Sequence, residues 1–153
     1  MIKPDYRPGT PQDLDLLFSI EQAAFSRPFD NAFNEVDILG MISRANTGDG
    51  VFMLVQYYEE AAGYYSLLSL GDELIELEAL AILPRFQGQG FGKLVMEHII
   101  KEVSFKADLQ LTVHPKNVAG LILYLKNGFI PIGYKEDYYG DGQPRLLMKR
   151  TKS

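Results

Sequence analysis

Three glycines at alternate positions, Gly88, Gly90 and Gly92, sit between a strand-like run, Glu73 to Leu83, and an amphipathic helix that reaches Val103. Glycine has no side chain to shield its amide, so this loop can press backbone N–H groups against an anion at the positive end of the following helix. Phosphate binding is the chemistry that this arrangement suits. The register excludes two familiar phosphate loops. A loop ending at Gly92-Lys93 needs glycine at 87 and a hydroxyl at 94, where the chain has Gln87 and Leu94; a dinucleotide fingerprint starting at Gly88 or Gly90 needs a small residue where Lys93 or Val95 stands. Two carboxylates, Glu76 and Glu78, precede the loop, and strand alternation puts them on one face with Leu80 and Ile82. Either can reach a substrate on that face, directly or through water, and take a proton from it. Further on, Asn117 and Tyr124 lie seven apart, opening and closing about two turns of helix.

Gln87-Gly88-Gln89-Gly90-Phe91-Gly92, preceded by Leu83-Pro84, resembles the acyl-CoA pyrophosphate loop of the GNAT superfamily of N-acetyltransferases, and the stretch from Asn117 to Phe129 resembles that family's second signature. The resemblance runs over nearly the whole chain. It implies an enzyme that uses acetyl-CoA as co-substrate, without a metal, and moves the acetyl group to a primary amine by direct attack in a ternary complex. It further implies that Leu80, Ala81 and Ile82 hold the pantetheine arm as an added strand, and that Gln87, Gly88, Gln89, Gly90, Phe91, Gly92 and Lys93 cradle the pyrophosphate. Asn117 would contact the arm, and Tyr124 would give its proton to the departing thiolate. A phenol, with a reference pKa of about 10, is in the right form for that at neutral pH. Family members place a glutamate base at the position matching Glu76 or at the one matching Glu78, so Glu76, Glu78 and a water all stay open as the base.

The acceptor is addressed by two other stretches. Glu21 to Phe29 resembles the substrate entry of the ribosomal-protein alanine N-acetyltransferase subfamily, in which an aromatic residue, here Phe29, follows the proline. Tyr138-Tyr139-Gly140-Asp141-Gly142 resembles the tyrosine pair with which protein N-terminal acetyltransferases grip a peptide backbone. Both imply a protein or peptide amino terminus as acceptor, met by Phe29, Tyr138 and Tyr139. Two positions depart from that subfamily: its strand glutamate base falls on Thr112, and its acidic residues after the loop are Gln143-Pro144-Arg145. An α-amino group, with a pKa of about 7.7–8.0, is partly neutral at pH 7, so it tolerates the loss of one base better than a lysine at about 10.4. The alternatives are a small-molecule acetyltransferase for polyamines, aminoglycosides or amino acids, with Phe29, Tyr57, Tyr64 and Tyr139 closing a pocket, and a non-catalytic acyl-CoA-binding module.

The elements that must position these groups follow from periodicity. A first strand is expected over Ile2–Arg7, a helix over Pro11–Phe25 capped by Thr10, and a second helix from a cap at Asp30 or Asn31 to about Arg44. Strands over Val51–Tyr58 and Ala62–Leu70 form a hairpin across Glu59-Glu60-Ala61, before the central strand and the glycine-loop helix. A strand over Leu109–His114, a helix from Asn117 through Leu125, and a final antiparallel pair, Phe129–Lys135 with Arg145–Lys149, complete the chain. The order is α/β; with the resemblance it implies a GNAT fold, residues 1–153 as one domain, with a mixed, mostly antiparallel sheet of about seven strands flanked by about four helices.

Composition bounds the function classes. The 153 residues are 46% hydrophobic and 12% aromatic, enough for one domain with a real core. No cysteine occurs and histidine only twice, at His98 and His114, which argues against thiolate chemistry and a histidine metal site. A formal net charge of −5 with scattered basic residues argues against a nucleic-acid partner. The first residues lack the apolar core of a signal peptide and no run approaches membrane-spanning length, so no membrane partner and a cytoplasmic setting are expected, as monomer or homodimer.

Overall fold

A computed structural model describes residues 2–153. Among them the chain runs β1 (Asp5–Pro8), α1 (Leu14–Ala24), α2 (Glu35–Asn46), β2 (Gly50–Tyr57), β3 (Glu60–Gly71), β4 (Leu74–Ile82), α3 (Phe91–Val103), β5 (Asp108–Val113), α4 (Val118–Lys126), β6 (Ile130–Lys135) and β7 (Arg145–Arg150). The strands form one sheet of seven in the order β1-β2-β3-β4-β5-β7-β6. Every neighbouring pair is antiparallel except β4 with β5. The expected mixed sheet and four helices are both present.

The sheet separates two apolar layers. On one face α3 lays Phe91, Val95, Met96, Ile99 and Val103 against Val55, Tyr65, Leu67, Leu77, Leu109, Leu111 and Val113, and α4 joins it through Leu121, Leu123 and Tyr124. On the other face α1 and α2 bring Leu17, Ile20, Ile38, Met41 and Ile42 onto Phe52, Leu54, Tyr64, Ala79 and Ala81. Each large side chain buried in these layers favours folding by roughly 1.5–3 kcal/mol.

Several boundaries differ from the sequence expectation for identifiable reasons. β1 starts at Asp5, because Pro4 has no N–H to give an edge ladder. Residues Pro11–Asp13 form a 3₁₀ turn before α1, and the Asp13 carboxylate accepts the Thr10 N–H (2.9 Å) at that entry. α2 is capped neither by Asp30 nor by Asn31. Asn34 caps it: its side chain accepts the Asp37 N–H (2.8 Å) while Asp37 accepts the Asn34 N–H (3.0 Å), a reciprocal pair that satisfies two helix-end donors. Asp30 is occupied instead by the backbone N–H and guanidinium of Arg27. The β2–β3 hairpin turns on Tyr58 and Glu59, both at positive φ, so Glu60 and Ala61 already belong to the strand.

The feature that positions the site is a split between β4 and β5. Their ladder spans only Leu74–Asp108, Ile75–Leu109 and Glu76–Gln110, after which β4 runs on to Ile82 and β5 to Val113 without pairing. On its other edge β4 carries a bulge: Ser66 pairs with Ala79 and Leu67 with Leu77, leaving Glu78 as the extra residue. A bulge bends and twists its strand. Here it falls two residues beyond the last β4–β5 pair, where the strands part.

Candidate active site

The glycine loop meets α3 in the geometry that anion binding requires. Gly88 and Gly90 have φ of 74° and 93°, the left-handed region that glycine enters freely, and Gly90 is the residue before the first turn of α3. A methyl group added at either would meet nothing within 4 Å, so these two positions face open space. The N–H groups of residues 88–93 find no acceptor among the described residues. Six consecutive unpaired amides at a helix N-terminus are the donors that an anion such as a pyrophosphate requires. Side chains of the same stretch have other work. Phe91 is buried against Tyr57 and Phe86, so it contributes only its backbone. The Gln87 amide donates to the Ile82 carbonyl (2.8 Å) and that of Gln89 to the Arg85 carbonyl (2.7 Å), bracing the loop against the end of β4.

From this loop a groove of about 560 Å³ runs along the split, lined among others by Leu80, Ile82, Gln87, Gly90, Lys93, Asn117 and Tyr124. The β4 residues expected to hold an extended arm divide by the alternation of antiparallel pairing. The Leu83 N–H donates to Ala62 on β3 (2.8 Å), and the Ala81 carbonyl lies so close to Gly63 that a methyl there would come within 2.0 Å of it. The polar groups of Ala81 therefore face β3. Those of Leu80 and Ile82 face the split, with the Ile82 carbonyl already taken by Gln87. Across the groove Asn117 caps α4, its Oδ1 accepting the Gly120 N–H (3.0 Å), which leaves the Asn117 amide donors toward the groove.

At its inner end the groove meets two small cavities on the side of α1 and α2, of about 110 and 140 Å³. Tyr124 lines the groove and both cavities. Its ring rests on Phe129, its hydroxyl has no hydrogen-bond partner among the described residues, and burial pushes its pKa up to about 12. It stays a protonated, uncommitted donor where the two approaches join.

The two glutamates are placed differently from the alternation argument. The bulge at Glu78 shifts the pleat: Ile75 and Leu77 face α3 before it, Leu80 and Ile82 after it, while Ala79 and Ala81 face α1 and α2. Glu76 and Glu78 thus do not share the face of Leu80 and Ile82. Glu78 lines both small cavities, beside Tyr124. Its Oε2 accepts from Arg44 Nη2 on α2 (2.7 Å) and its Oε1 from Ser66 (3.2 Å). Glu76 lines neither cavity. Burial, then the neighbouring charge of Glu78, raises its pKa, and Arg44 offsets part of that.

Of the expected acceptor-binding residues, Phe29 and Tyr139 line one of these cavities. Phe29 lies 4.6 Å from the ring of His114, and Tyr139 shares a 2.6 Å hydrogen bond with Thr112. Tyr138 packs edge-on against Tyr139 and does not line the cavity. The sequence did not single out Arg44, Glu21, Asn31, Phe33, Thr112 or Arg145 as site residues. Glu21 is 1% exposed; it accepts the Tyr64 hydroxyl (2.7 Å) and the Phe33 N–H (2.8 Å), and burial raises its pKa. It ties the α1–α2 segment over the cavity to β3. A glutamate at a helical position that faces the core was the available signal.

A seven-stranded sheet split at its single parallel pair, with unpaired amides at the head of the groove, is the architecture of an acyl-CoA-dependent acyltransferase. The sequence pattern of the acetyltransferase (GNAT) family matches residues 14–129, and the chain belongs to that family. It is 26% identical over 133 residues to the [ribosomal protein bS18]-alanine N-acetyltransferase of Salmonella typhimurium, covering 86% of this chain and 84% of that protein. Its structure is similar to that of the ribosomal-protein-S18-alanine N-acetyltransferase from Escherichia coli, with a TM-score of 0.82 at 22% identity over 99% of this chain and 95% of the other. It is also similar to the PaiA N-acetyltransferase from Thermoplasma acidophilum in complex with coenzyme A, with a TM-score of 0.74 at 20% identity over 98% and 99% of the two chains. The protein is an acetyl-CoA-dependent N-acetyltransferase. Among the described residues no helix is long and apolar enough to cross a membrane, and no group of three or more His, Asp or Glu side chains is placed to hold a metal ion.

Proposed function

We propose that the acceptor is the α-amino group of a protein or peptide, and that the two glutamates share the work of preparing it. The observation that carries the reading is the size and lining of the cavities beyond Tyr124. At about 110 and 140 Å³ they admit an amino terminus and a small first side chain, and the larger lies between the α1–α2 segment and the Tyr139 loop. The relatives that acetylate a ribosomal-protein alanine support the same class.

The unpaired amides of residues 88–93 hold the pyrophosphate, Leu80 and Ile82 offer their free backbone groups to the arm, and Asn117 offers its amide from across the groove. The incoming ammonium is drawn to the Glu78 carboxylate. Its N–H bond breaks toward Glu76 through water, and the neutral nitrogen attacks the thioester carbon. The C–N bond forms, the C–S bond breaks and the sulfur takes the Tyr124 proton; the acylated nitrogen sheds its remaining extra proton to water, and solvent then reprotonates Tyr124 and takes up the proton held by Glu76. Two carboxylates suit these roles because one is held by a cation and the other is not.

The roles separate kinetically. Glu78→Gln is expected to raise KM for the acceptor about tenfold with a smaller change in kcat, since it removes an attraction present before and during reaction. Glu76→Gln is expected to lower kcat about 10²-fold. A base must be ionised to act, and the pKa of Glu76 is raised. The acidic limb of kcat/KM should therefore lie above the ordinary carboxylate range of about 4.3, and disappear in Glu76→Gln. Steady-state kinetics from pH 4.5 to 9 checks all three statements.

The acceptor class is tested by acetyl-CoA turnover with three sets: peptides with free amino termini, the same peptides blocked at the terminus but carrying lysine, and small amines such as polyamines. Turnover with the first set alone, or far above the others, is the expected result. Activity confined to the small amines would overturn the reading.

A further inference from the structure

The residue that distinguishes the two strand carboxylates lies on neither strand. Arg44, in the last turn of α2, crosses to β4 and donates from Nη2 to Glu78 Oε2 at 2.7 Å. That is the one hydrogen bond its guanidinium makes among the described residues, and its buried Nε–H has no acceptor there. Ser66 on β3 fixes the other oxygen of Glu78. No side chain pairs with Glu76 among the described residues, although Arg44 is near enough to act on its charge. Among the described residues, the one cation bonded to either of these two glutamates is therefore committed to Glu78.

We propose that Arg44 is a positioning residue that gives the two carboxylates different jobs, pinning Glu78 as the anion that meets the ammonium and leaving Glu76 to take the proton. The inference rests on the acyl-transfer reading of Glu76 and Glu78 above. Without Arg44, two half-buried carboxylates two residues apart would compete to stay ionised, and like charges at such range share a proton rather than divide roles. Other charged and titratable groups face this pair from every neighbouring element. They are Glu21 on α1, Asp30 in the α1–α2 segment, Asp37 on α2, Tyr64 on β3, Tyr124 on α4, and His114, Tyr139 and Arg145 from the far wall. Tyr64 holds Glu21, both ring nitrogens of His114 are engaged, Nδ1 by the Lys116 N–H and Nε2 by Gln143, and Arg145 is directed to Pro144 and Asp141. None of them supplies a second free cation.

The test is the pH profile of kcat/KM for the wild type and the variants Arg44→Gln, Arg44→Lys and Glu78→Gln, each measured with the same amine, whichever the wild type acetylates best. The titration of the amine itself then cancels between variants. Removing the cation should move the acidic limb up, because the charge of Arg44 holds the Glu76 pKa down. Removing Glu78 should move it down, since the like charge is gone. Arg44→Lys should return most of the shift while KM for the acceptor stays raised several-fold, because a point charge replaces the directed N–H. KM for acetyl-CoA should stay at the wild-type value throughout. A helix-packing role alone would lower the melting temperature or the rate at all pH values and leave the limb in place; that result for Arg44→Gln overturns the proposal, as does a limb that survives Glu76→Gln. If Arg44→Gln fails to fold, the opposite shift in Glu78→Gln and the profile of Arg44→Lys, whose side chain is 40% exposed in the parent and leaves room for the change, still decide it. A wild type that acetylates no peptide terminus would remove the peptide reading without touching these comparisons.

Discussion

Replacing Tyr124 by phenylalanine is expected to lower kcat by about 10²- to 10³-fold while acetyl-CoA binds as before. The substitution removes one oxygen and keeps the ring on Phe129, so the packing of α4 is unchanged. No buried partner is stranded, because the hydroxyl has none among the described residues. What is lost is the proton for the thiolate, and with it an interaction made only as the C–S bond breaks, which is why the loss falls on kcat. Burial raises the pKa of this phenol to about 12, so it remains an acid across the usable range. The wild-type rate should not fall on the alkaline side through ionisation of Tyr124 until the pH nears that value. Rapid-quench turnover and isothermal titration with acetyl-CoA separate the two effects; wild-type kcat in Tyr124→Phe would remove the residue as the acid.

The second large effect is expected at the loop. Gly90→Val should weaken acetyl-CoA binding by about 10²- to 10⁴-fold, the equivalent of losing two charge-assisted hydrogen bonds of roughly 1.5–3 kcal/mol each. Two causes act together. A β-branched residue resists the φ of 93°, a strain of order 1–3 kcal/mol, and its side chain enters the open space where the pyrophosphate must approach. Gly48 separates these causes. It has a φ of 86° and open space around its own added methyl, but lies between α2 and β2, away from the groove. Gly48→Val should carry the same strain, seen as a lower melting temperature, and bind acetyl-CoA normally. Equal loss of binding in both variants would show that strain alone, and not the cradle, was being measured.

The local geometry proposed for acyl-CoA, the loop amides and the capped helix, was legible in the sequence because its information is local. A loop that works through backbone amides must be glycine-rich, and a helix cap with a tyrosine two turns later keeps its spacing wherever the helix packs. The acceptor half was less legible because it depends on contacts between distant segments. The alternation that grouped Glu76 and Glu78 with Leu80 and Ile82 holds for an unbroken strand, and the bulge at Glu78 breaks it. No residue near 78 announces that bulge, which arises from how β3 pairs with β4. That the polar groups of Ala81 face β3 was hidden for a related reason, since only the register against Gly63 decides which edge its carbonyl faces. Arg44 lies 34 residues from Glu78 in sequence, and nothing local marks it. The cap of α2 was misplaced because Asp30, Asn31 and Asn34 all suit the role, and Arg27 had already engaged the first.

The account turns on Tyr124 standing where the acetyl donor and the acceptor meet. Its most direct test is a crystal structure with a bisubstrate compound, coenzyme A joined through its sulfur and an acetyl linker to the α-nitrogen of a short peptide. The sulfur is expected within about 3.5 Å of the Tyr124 hydroxyl, the pyrophosphate on the amides of residues 88–93, and the α-nitrogen in the cavity beside Glu78. A peptide lying outside that cavity, or a sulfur out of reach of Tyr124, would contradict it.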